Sequence, residues 1–389
     1  MDNRAIIEKL RECAKNLLDL ARELQVADRV ASPLTMDLIA SEVAPLDGKA
    51  HNYALPFVLG QDEFGTSQII ELARLPHLLI GGGAGRGKTV CLNSLIAGLI
   101  STKSPDEVRL IVYDPKCVEF AWASELPHLI LPVITSDSRM LFALRWLVCE
   151  MEKRLKMFAR AYCRNIVDFN ARTVKQDSGD ETPRTVPYIV AVFDEFADLM
   201  TMHGKEVEPL VSRITAKARA AGIHIVIATS RPDCKVVTGL LKSNMPGRLA
   251  FKTVSGIDSR TIIDDVGAEN LFGRGDFLFR SGSEEIVRGQ GAYISDAGIC
   301  ELVSAAVGKY GQPKCADEED EVDSGSDYER VIALIRKTGK ASISHFQRCL
   351  GFGYNHSAEL MDRLESAGLV GTQKGAGPRE VFWDKFPME

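Results

Sequence analysis

Residues 78–95 read LLIGGGAGRGKTVCLNSL. A short apolar run gives way to closely spaced glycines, and then to Lys88 and Thr89 at the head of a helix-like stretch. Gly82-Gly83-Ala84-Gly85-Arg86-Gly87-Lys88-Thr89 fits the pattern G-x-x-x-x-G-K-[ST], with the buried strand before it and the helix after it that the pattern requires. Bare backbone lets successive N–H groups turn inward onto phosphate oxygens, and the helix N-terminus adds the positive end of its dipole. An ammonium at 88 would neutralise β- and γ-phosphate charge, and a hydroxyl at 89 suits Mg²⁺. The stretch from Gly82 to Val90 is therefore expected to hold ATP, with Thr89 as one ligand of Mg²⁺.

Working outward, apolar β-rich runs alternate with helical patterns from about residue 50 to 313. HLLIGG precedes a helix over 88–100, VRLIVYD precedes 138–163, PYIVAVFDE precedes 205–221, and GIHIVIATS and RLAFKT follow. Continuous Val/Ile/Leu runs separated by amphipathic helices predict an α/β domain, a parallel sheet covered on both faces. Before it, Ile6, Ile7, Leu10, Ala14, Leu17, Leu18, Ala21 and Leu24 fall at helical spacing, so residues 1–50 are expected to be a helix and a connector. The run ADEEDEVDSGSD at 316–327 carries seven acidic residues and little that could enter a core. Residues 314–327 therefore read as a solvated linker.

A P-loop also needs an acidic strand end nearby. YIVAVFDEF brings the chain up an apolar strand to Asp194 and Glu195, at the edge where open α/β sheets bind ligands. Asp194 is the second candidate ligand of Mg²⁺, and Glu195 the candidate general base for a lytic water. Two more strands end in polar residues: IVYDPK at 111–116, and GIHIVIATSRP, which closes on Thr229, Ser230 and Arg231. Such edges either sense a γ-phosphate or simply end a strand in a turn, and for DPK the residues leave both open.

The whole chain has 389 residues, a formal net charge of −6 and 45% hydrophobic composition, which permits at least one large core and excludes a uniformly basic nucleic-acid coat. Nine cysteines lie scattered without a CxxC pair or zinc spacing, as expected of reduced cytoplasmic thiols. No run is long enough to cross a bilayer as a helix, and MDNRAIIEKL lacks the order of a signal peptide. The chain is thus expected to be cytoplasmic.

The tail from Tyr328 predicts helices over 328–338, 342–350 and 354–367, and then two short strands around a Gly/Pro turn in LVGTQKGAGPREVFW. Three helices and a hairpin make a winged helix-turn-helix over residues 328–389. Nine Lys/Arg face seven Asp/Glu there, a net of +2.

Taken in order, HLLIGGGAGRGKTV, IVYDPK, LPHLILPVIT, ALRWLVCEMEKR, RNIVDFN, PYIVAVFDEFADLM, GKEVEPLVSRITAKARAAGIHIVIATSRP, VVTGLLKSNMPGRLAF and IDSRTIIDDVGAENLFGRGDFL resemble the motor of the FtsK/SpoIIIE double-stranded DNA translocases. The resemblance covers roughly residues 55–300. It resumes in KASISHFQRCLGFGYNHSAELMDRLESAGLVG, which is similar to that family's DNA-reading winged-helix domain. It implies a RecA-like P-loop NTPase core over residues 51–313, assembled as a homo-oligomeric, hexameric ring around duplex DNA and moving along it as ATP is hydrolysed. It also implies an arginine acting in trans on the γ-phosphate of a neighbouring subunit, a place that Arg219 matches, and a coupling residue at Ser230. Arg231 and Arg260 match positions facing the DNA channel, and Asn355, His356, Glu359 and Asp362 positions on the recognition helix.

The chain departs from the family pattern at several of these places. Ser230 stands where the family usually has a glutamine, and Gly256 where a channel lysine is usual. Glu359 and His356 stand where arginines are common, and glutamate, an acceptor only, suits a cytosine amino group in the major groove. A secretion or conjugation coupling ATPase of the same superfamily, and a DNA-binding regulator switched by nucleotide without translocation, stay open as alternatives.

Overall fold

The computed structural model describes residues 53–62, 64–176, 185–282, 284–313, 324–350, 352–372 and 379–382. The helix expected over residues 1–50 lies outside them, as does most of the expected linker. Two compact units divide the chain after Cys315.

In the first unit, nine strands join one sheet. They are β1 (Pro56–Asp62), β2 (Ser67–Glu71), β3 (His77–Gly81), β4 (Val108–Tyr113), β5 (Tyr188–Phe193), β6 (Ile223–Thr229), β7 (Gly247–Phe251), β8 (Asp276–Ser281) and β9 (Val287–Gly291), in the order β2-β1-β9-β8-β7-β3-β6-β5-β4. The five from β7 to β4 are parallel. Four antiparallel strands absent from the sequence expectation extend that core beyond β7. The helices are α1 (Lys88–Thr102), α2 (Asp137–Arg160), α3 (Ile166–Gln176), α4 (Phe196–Ala221), α5 (Gly239–Asn244), α6 (Gly256–Ile263) and α7 (Asp296–Tyr310).

Strand side chains alternate between two cores. Leu78, Ile80, Val190, Val192 and Val226 pack with Leu92, Leu95 and Leu99 of α1 and with Leu302 of α7. Leu79, Ile111, Ile189, Ala191 and Ile225 pack with Leu144 and Leu147 of α2 and with Val211 and Ile214 of α4. Both faces are covered, which is why these strands read as unbroken apolar runs. Each Leu, Ile or Val buried in this way contributes about 1.5–3 kcal/mol. The result is a rigid platform from which the loops at the C-terminal strand ends project.

β4 is the last strand on its side, but its outer edge is occupied. Leu110 N donates to His128 O (2.8 Å), Ile130 N to Leu110 O (2.9 Å) and Ile134 N to Val112 O (2.9 Å).

Helix α4 begins at Phe196, nine residues before its expected start. The backbone turns non-helical at His203 (φ −127°, ψ 22°), and the chain continues through it and through Pro209 as a kinked helix.

The second unit holds α8 (Ser324–Thr338), α9 (Ile343–Leu350) and α10 (Tyr354–Ser366) around Val331, Ile335, Phe346, Leu360, Met361 and Leu364. α8 begins inside the segment expected to be linker. Among the described residues, antiparallel bridges join Val370 to Val381 of the two expected strands, and Ala341 to Arg379. The Gly/Pro turn between the two expected strands lies outside the described residues.

Candidate functional site: a P-loop and three strand ends

β3 delivers the chain to the glycine loop and α1 carries it away, so the loop sits at the C-terminal edge of the sheet between β7 and β6. Gly87 has φ 118°, a conformation that side chains rarely adopt. A Cβ there would come within 3.1 Å of Gly275 Cα. Lys88 is buried, and its ammonium donates to Gly82 O (2.9 Å) and Gly83 O (2.8 Å), which curls the loop over it. Burial lowers its pKa, and the charges of Glu195 and Asp194 oppose that shift. Gly83 N donates to Lys252 O (2.8 Å), which ties the loop to the residue after β7.

The acidic pair follows β5. Asp194 is buried and accepts from Glu195 N (2.9 Å). Burial is the main reason its pKa is raised to about 6, against the pull of that N–H, while the neighbouring Glu195 charge adds to the rise. A carboxylate buried at this expense to its charge is in the state a cation would relieve. With the Thr89 hydroxyl it makes a small set of hard oxygen donors of the kind Mg²⁺ takes alongside substrate phosphates. Among the described residues no group of three or more His, Cys, Asp or Glu gathers as a metal cage.

Glu195 has left-handed backbone, φ 47° and ψ 44°, at the start of α4. Strain of this kind, of order 1 kcal/mol, persists where surrounding contacts fix the residue. Here they fix the carboxylate. Oε1 accepts from Lys116 Nζ (2.7 Å) and Oε2 from Ser230 Oγ (2.6 Å). Partial burial pushes the Glu195 pKa up, but the bonds from Lys116 and Ser230, with the charges of Lys116 and Lys88, outweigh it and leave it lowered. The bond to Glu195 raises the Lys116 pKa.

Three strand ends thus converge: DPK after β4, DE after β5 and SR after β6. Lys88, Thr89, Asp194, Glu195 and Ser230 lie on this one edge. Lys116 was absent from the expected site. The only signal for it was the polar ending of IVYDPK, whose Asp114 instead organises its own turn by accepting from Lys116 N (3.1 Å), Glu119 N (3.0 Å) and Phe120 N (3.0 Å).

Arg219 does not join them. It ends α4 just before β6, at the opposite edge of the sheet, exposed in a cleft of about 840 Å³ lined also by Arg74, Lys103 and Arg164. Arg231 and Arg260 are exposed, the first directly after Ser230 and the second on α6, which is held by a capping box of Ser255 and Asp258. In the second unit Asn355 and Glu359 are exposed on α10. His356 is engaged within its unit, 2.9 Å from Asp327 and edge-on to Phe352. Asp362 is exposed, 3.8 Å from Arg379. Among the described residues no helix is long and apolar enough to cross a membrane.

Comparison with known proteins places this site in context. The FtsK/SpoIIIE family matches residues 47–234, and the Ftsk gamma domain matches residues 322–384. DNA translocase FtsK of Treponema pallidum (strain Nichols) is 43% identical over 347 residues, covering 86% of this chain and 43% of that protein. DNA translocase FtsK of Borreliella burgdorferi is 39% identical over 359 residues, covering 89% of this chain and 45% of that protein. The chain therefore spans less than half the length of these curated relatives. Among solved structures, the pCW3 conjugation coupling protein TcpA, in a monomer form with ATPγS, is 28% identical with a TM-score of 0.57, covering 68% of this chain and 74% of that one. The cytoplasmic domain of the Thermomonospora curvata type VII secretion ATPase EccC is 20% identical with a TM-score of 0.61, covering 73% and 35%, a likeness of fold.

Proposed function

The chain belongs to the FtsK/SpoIIIE family, and from that premise we propose that it is an ATP-driven motor that translocates double-stranded DNA. The observation that carries the reading is the convergence of the P-loop with Asp194, Glu195 and Ser230 on one strand edge, next to the exposed Arg231. The glycine loop binds the phosphates of ATP, Lys88 turns its ammonium from two carbonyls onto them, and Thr89 and Asp194 hold Mg²⁺. When bound, that ion neutralises phosphate charge as the terminal bond breaks. Glu195, oriented by Lys116 and Ser230, takes the proton of the attacking water at a carboxylate oxygen.

Arg219 stands on the far edge of the sheet, so it serves a nucleotide only on another copy. This favours sites between subunits of a ring, six in the reading proposed. Arg231, one residue from the group bonded to the base, and Arg260 grip DNA phosphate without reading sequence. The match of residues 322–384 to the gamma domain favours DNA over protein as cargo, because that module is the part expected to contact duplex. On α10, Asn355, Glu359 and Asp362 are the exposed candidates for base contact, with His356 more tied to its own unit. The experiment is a titration of ATPase rate with linear duplex DNA: a several-fold rise is expected, and a flat response would remove the motor reading.

A further inference from the structure

The loop after the 3₁₀ turn Ala268–Asn270 carries a feature outside the triphosphate machinery described so far. Gly273, Arg274 and Gly275 are three successive left-handed residues, with φ 88°, 53° and 90°. Glycine adopts this region freely, but arginine does so only under strain. The strain is held from both sides. Gly275 N donates to Arg86 O of the P-loop (3.3 Å), and Gly291 N donates to Gly275 O (2.8 Å). Gln290 Nε2 donates to Arg274 O (2.7 Å). Asp276 is buried, paired with Arg288 and accepting from Phe272 N (2.8 Å), which closes the base of the loop.

The loop gathers like charges. A Cβ at Gly273 would stand 3.4 Å from Arg86 Nη1 and 3.8 Å from Lys252 Cδ, so both cationic side chains lie over this glycine, next to exposed Arg274. Among the described residues none of Arg86, Lys252 and Arg274 has an acidic partner. Cations gathered without acidic partners make a place that an anion would suit. Their place in the sheet says which part of the anion they meet. Asp194 and Glu195 follow β5, on the β6 side of the P-loop, and mark the end where the terminal phosphate is cleaved. Lys252 follows β7, and Arg274 precedes β8, which pairs with β7 on the other side of the P-loop.

We propose that Arg274, fixed in its left-handed loop and flanked by Lys252, is a nucleotide-binding residue that holds the α-phosphate end of the bound nucleotide, away from the scissile bond. The inference rests on the ATPase reading of the same site. Such a contact is made equally in ground and transition states, so it acts on affinity and leaves the chemical step alone.

The test compares Arg274→Gly, Arg274→Lys and Lys252→Met with the wild-type full chain. It measures calorimetric binding of ADP with Mg²⁺, steady-state ATPase kinetics, and thermal midpoint without nucleotide. Arg274→Gly is expected to weaken ADP binding and raise the KM for ATP by roughly tenfold, with kcat at saturating ATP within about twofold. Its midpoint should rise by a few degrees, because glycine relaxes the backbone. That gain shows the variant is folded and separates lost binding from lost structure. Arg274→Lys should recover most of the affinity, and Lys252→Met should lose several-fold. ADP affinity in Arg274→Gly within about twofold of wild type overturns the proposal while leaving the ATPase reading standing. A fall in kcat with unchanged affinity overturns it too, as does unchanged affinity with a shallower salt dependence of DNA binding, which would assign the patch to duplex. Failure of the wild-type chain itself to bind ADP would sink the ATPase reading and this proposal together.

Discussion

Ser230 Oγ lies 2.6 Å from Glu195 Oε2, so the residue before an exposed arginine holds one oxygen of the acidic pair's second carboxylate. Lys116, at 2.7 Å, holds the other. Each oxygen spends one lone pair on its partner and keeps another, so the two bonds fix how the carboxylate faces a water. That arrangement ties its aim to the loops after β4 and β6.

Glu195→Gln should cut ATP turnover by 10²-fold or more, since the amide keeps the shape but accepts no proton. Nucleotide affinity should stay within about threefold, because the substitution leaves the P-loop untouched. Single-turnover hydrolysis alongside ADP binding checks both halves. Hydrolysis within tenfold of wild type would mean that another group is the base.

Lys116→Met should move the acidic limb of the kcat/KM profile to higher pH. Bonds and charge from Lys116 help to hold Glu195 below its ordinary value of 4.5. A base with a lowered pKa stays ionised to lower pH, so removing the lysine lets it protonate sooner as pH falls. An unchanged limb would show that Lys116 does not face the working carboxylate.

Arg219→Ala and Lys88→Ala should each be inactive alone, and mixed oligomers should regain measurable turnover. Recovery follows only if one subunit's intact P-loop meets another's intact arginine, the arrangement proposed from their places on opposite sheet edges. ATPase assays across mixing ratios give the answer, and no recovery at any ratio would place Arg219 outside the reaction.

Arg231→Ala and Arg260→Ala should flatten the dependence of DNA affinity on salt, each by close to one unit of log–log slope for every phosphate left without its guanidinium. Competition with scrambled duplexes should show the same weakening on every sequence. A sequence-dependent effect would mean base reading instead of backbone grip.

His77 and His224 are fully buried, and burial is the main cause lowering their pKa values to about 3 and about 4 from 6.5. The unfolded chain then takes up protons that the folded chain refuses. Stability from this pair is full above pH 6.5 and is lost as pH falls toward 4, by about 1.4 kcal/mol per pH unit for each histidine. Asp194, with its raised pKa, acts in the opposite sense between about 6 and 3.8. Urea midpoints of wild type and a His77→Gln, His224→Asn variant, from pH 7 to 5, isolate the pair: the variant should lose less stability. Equal slopes would refute the assignment.

The parallel core was legible because its strands are buried on both faces, and burial writes continuous apolar runs into sequence. The antiparallel extension was not. β9, VRGQG, is half exposed and contains two glycines, and β8, DFLFRS, ends in an arginine and a serine, so neither repeats an apolar pattern long enough to stand out. Helix α6 left a local sign in Ser255 and Asp258, whose reciprocal cap needs three-residue spacing. Of the site, the P-loop and acidic pair are contiguous motifs and could be read directly. Lys116 and Arg274 could not, because what marks them is a neighbour from a distant strand and a backbone angle, and neither is a property of local composition.

The segment running beside β4 has a bearing on how copies of this chain meet. An open strand edge invites a second molecule to add its own strand and continue the sheet without limit. Residues 128–134 already use the N–H and C=O groups on that side. Along this flank a second copy would meet side chains in place of the open backbone that invites strand addition.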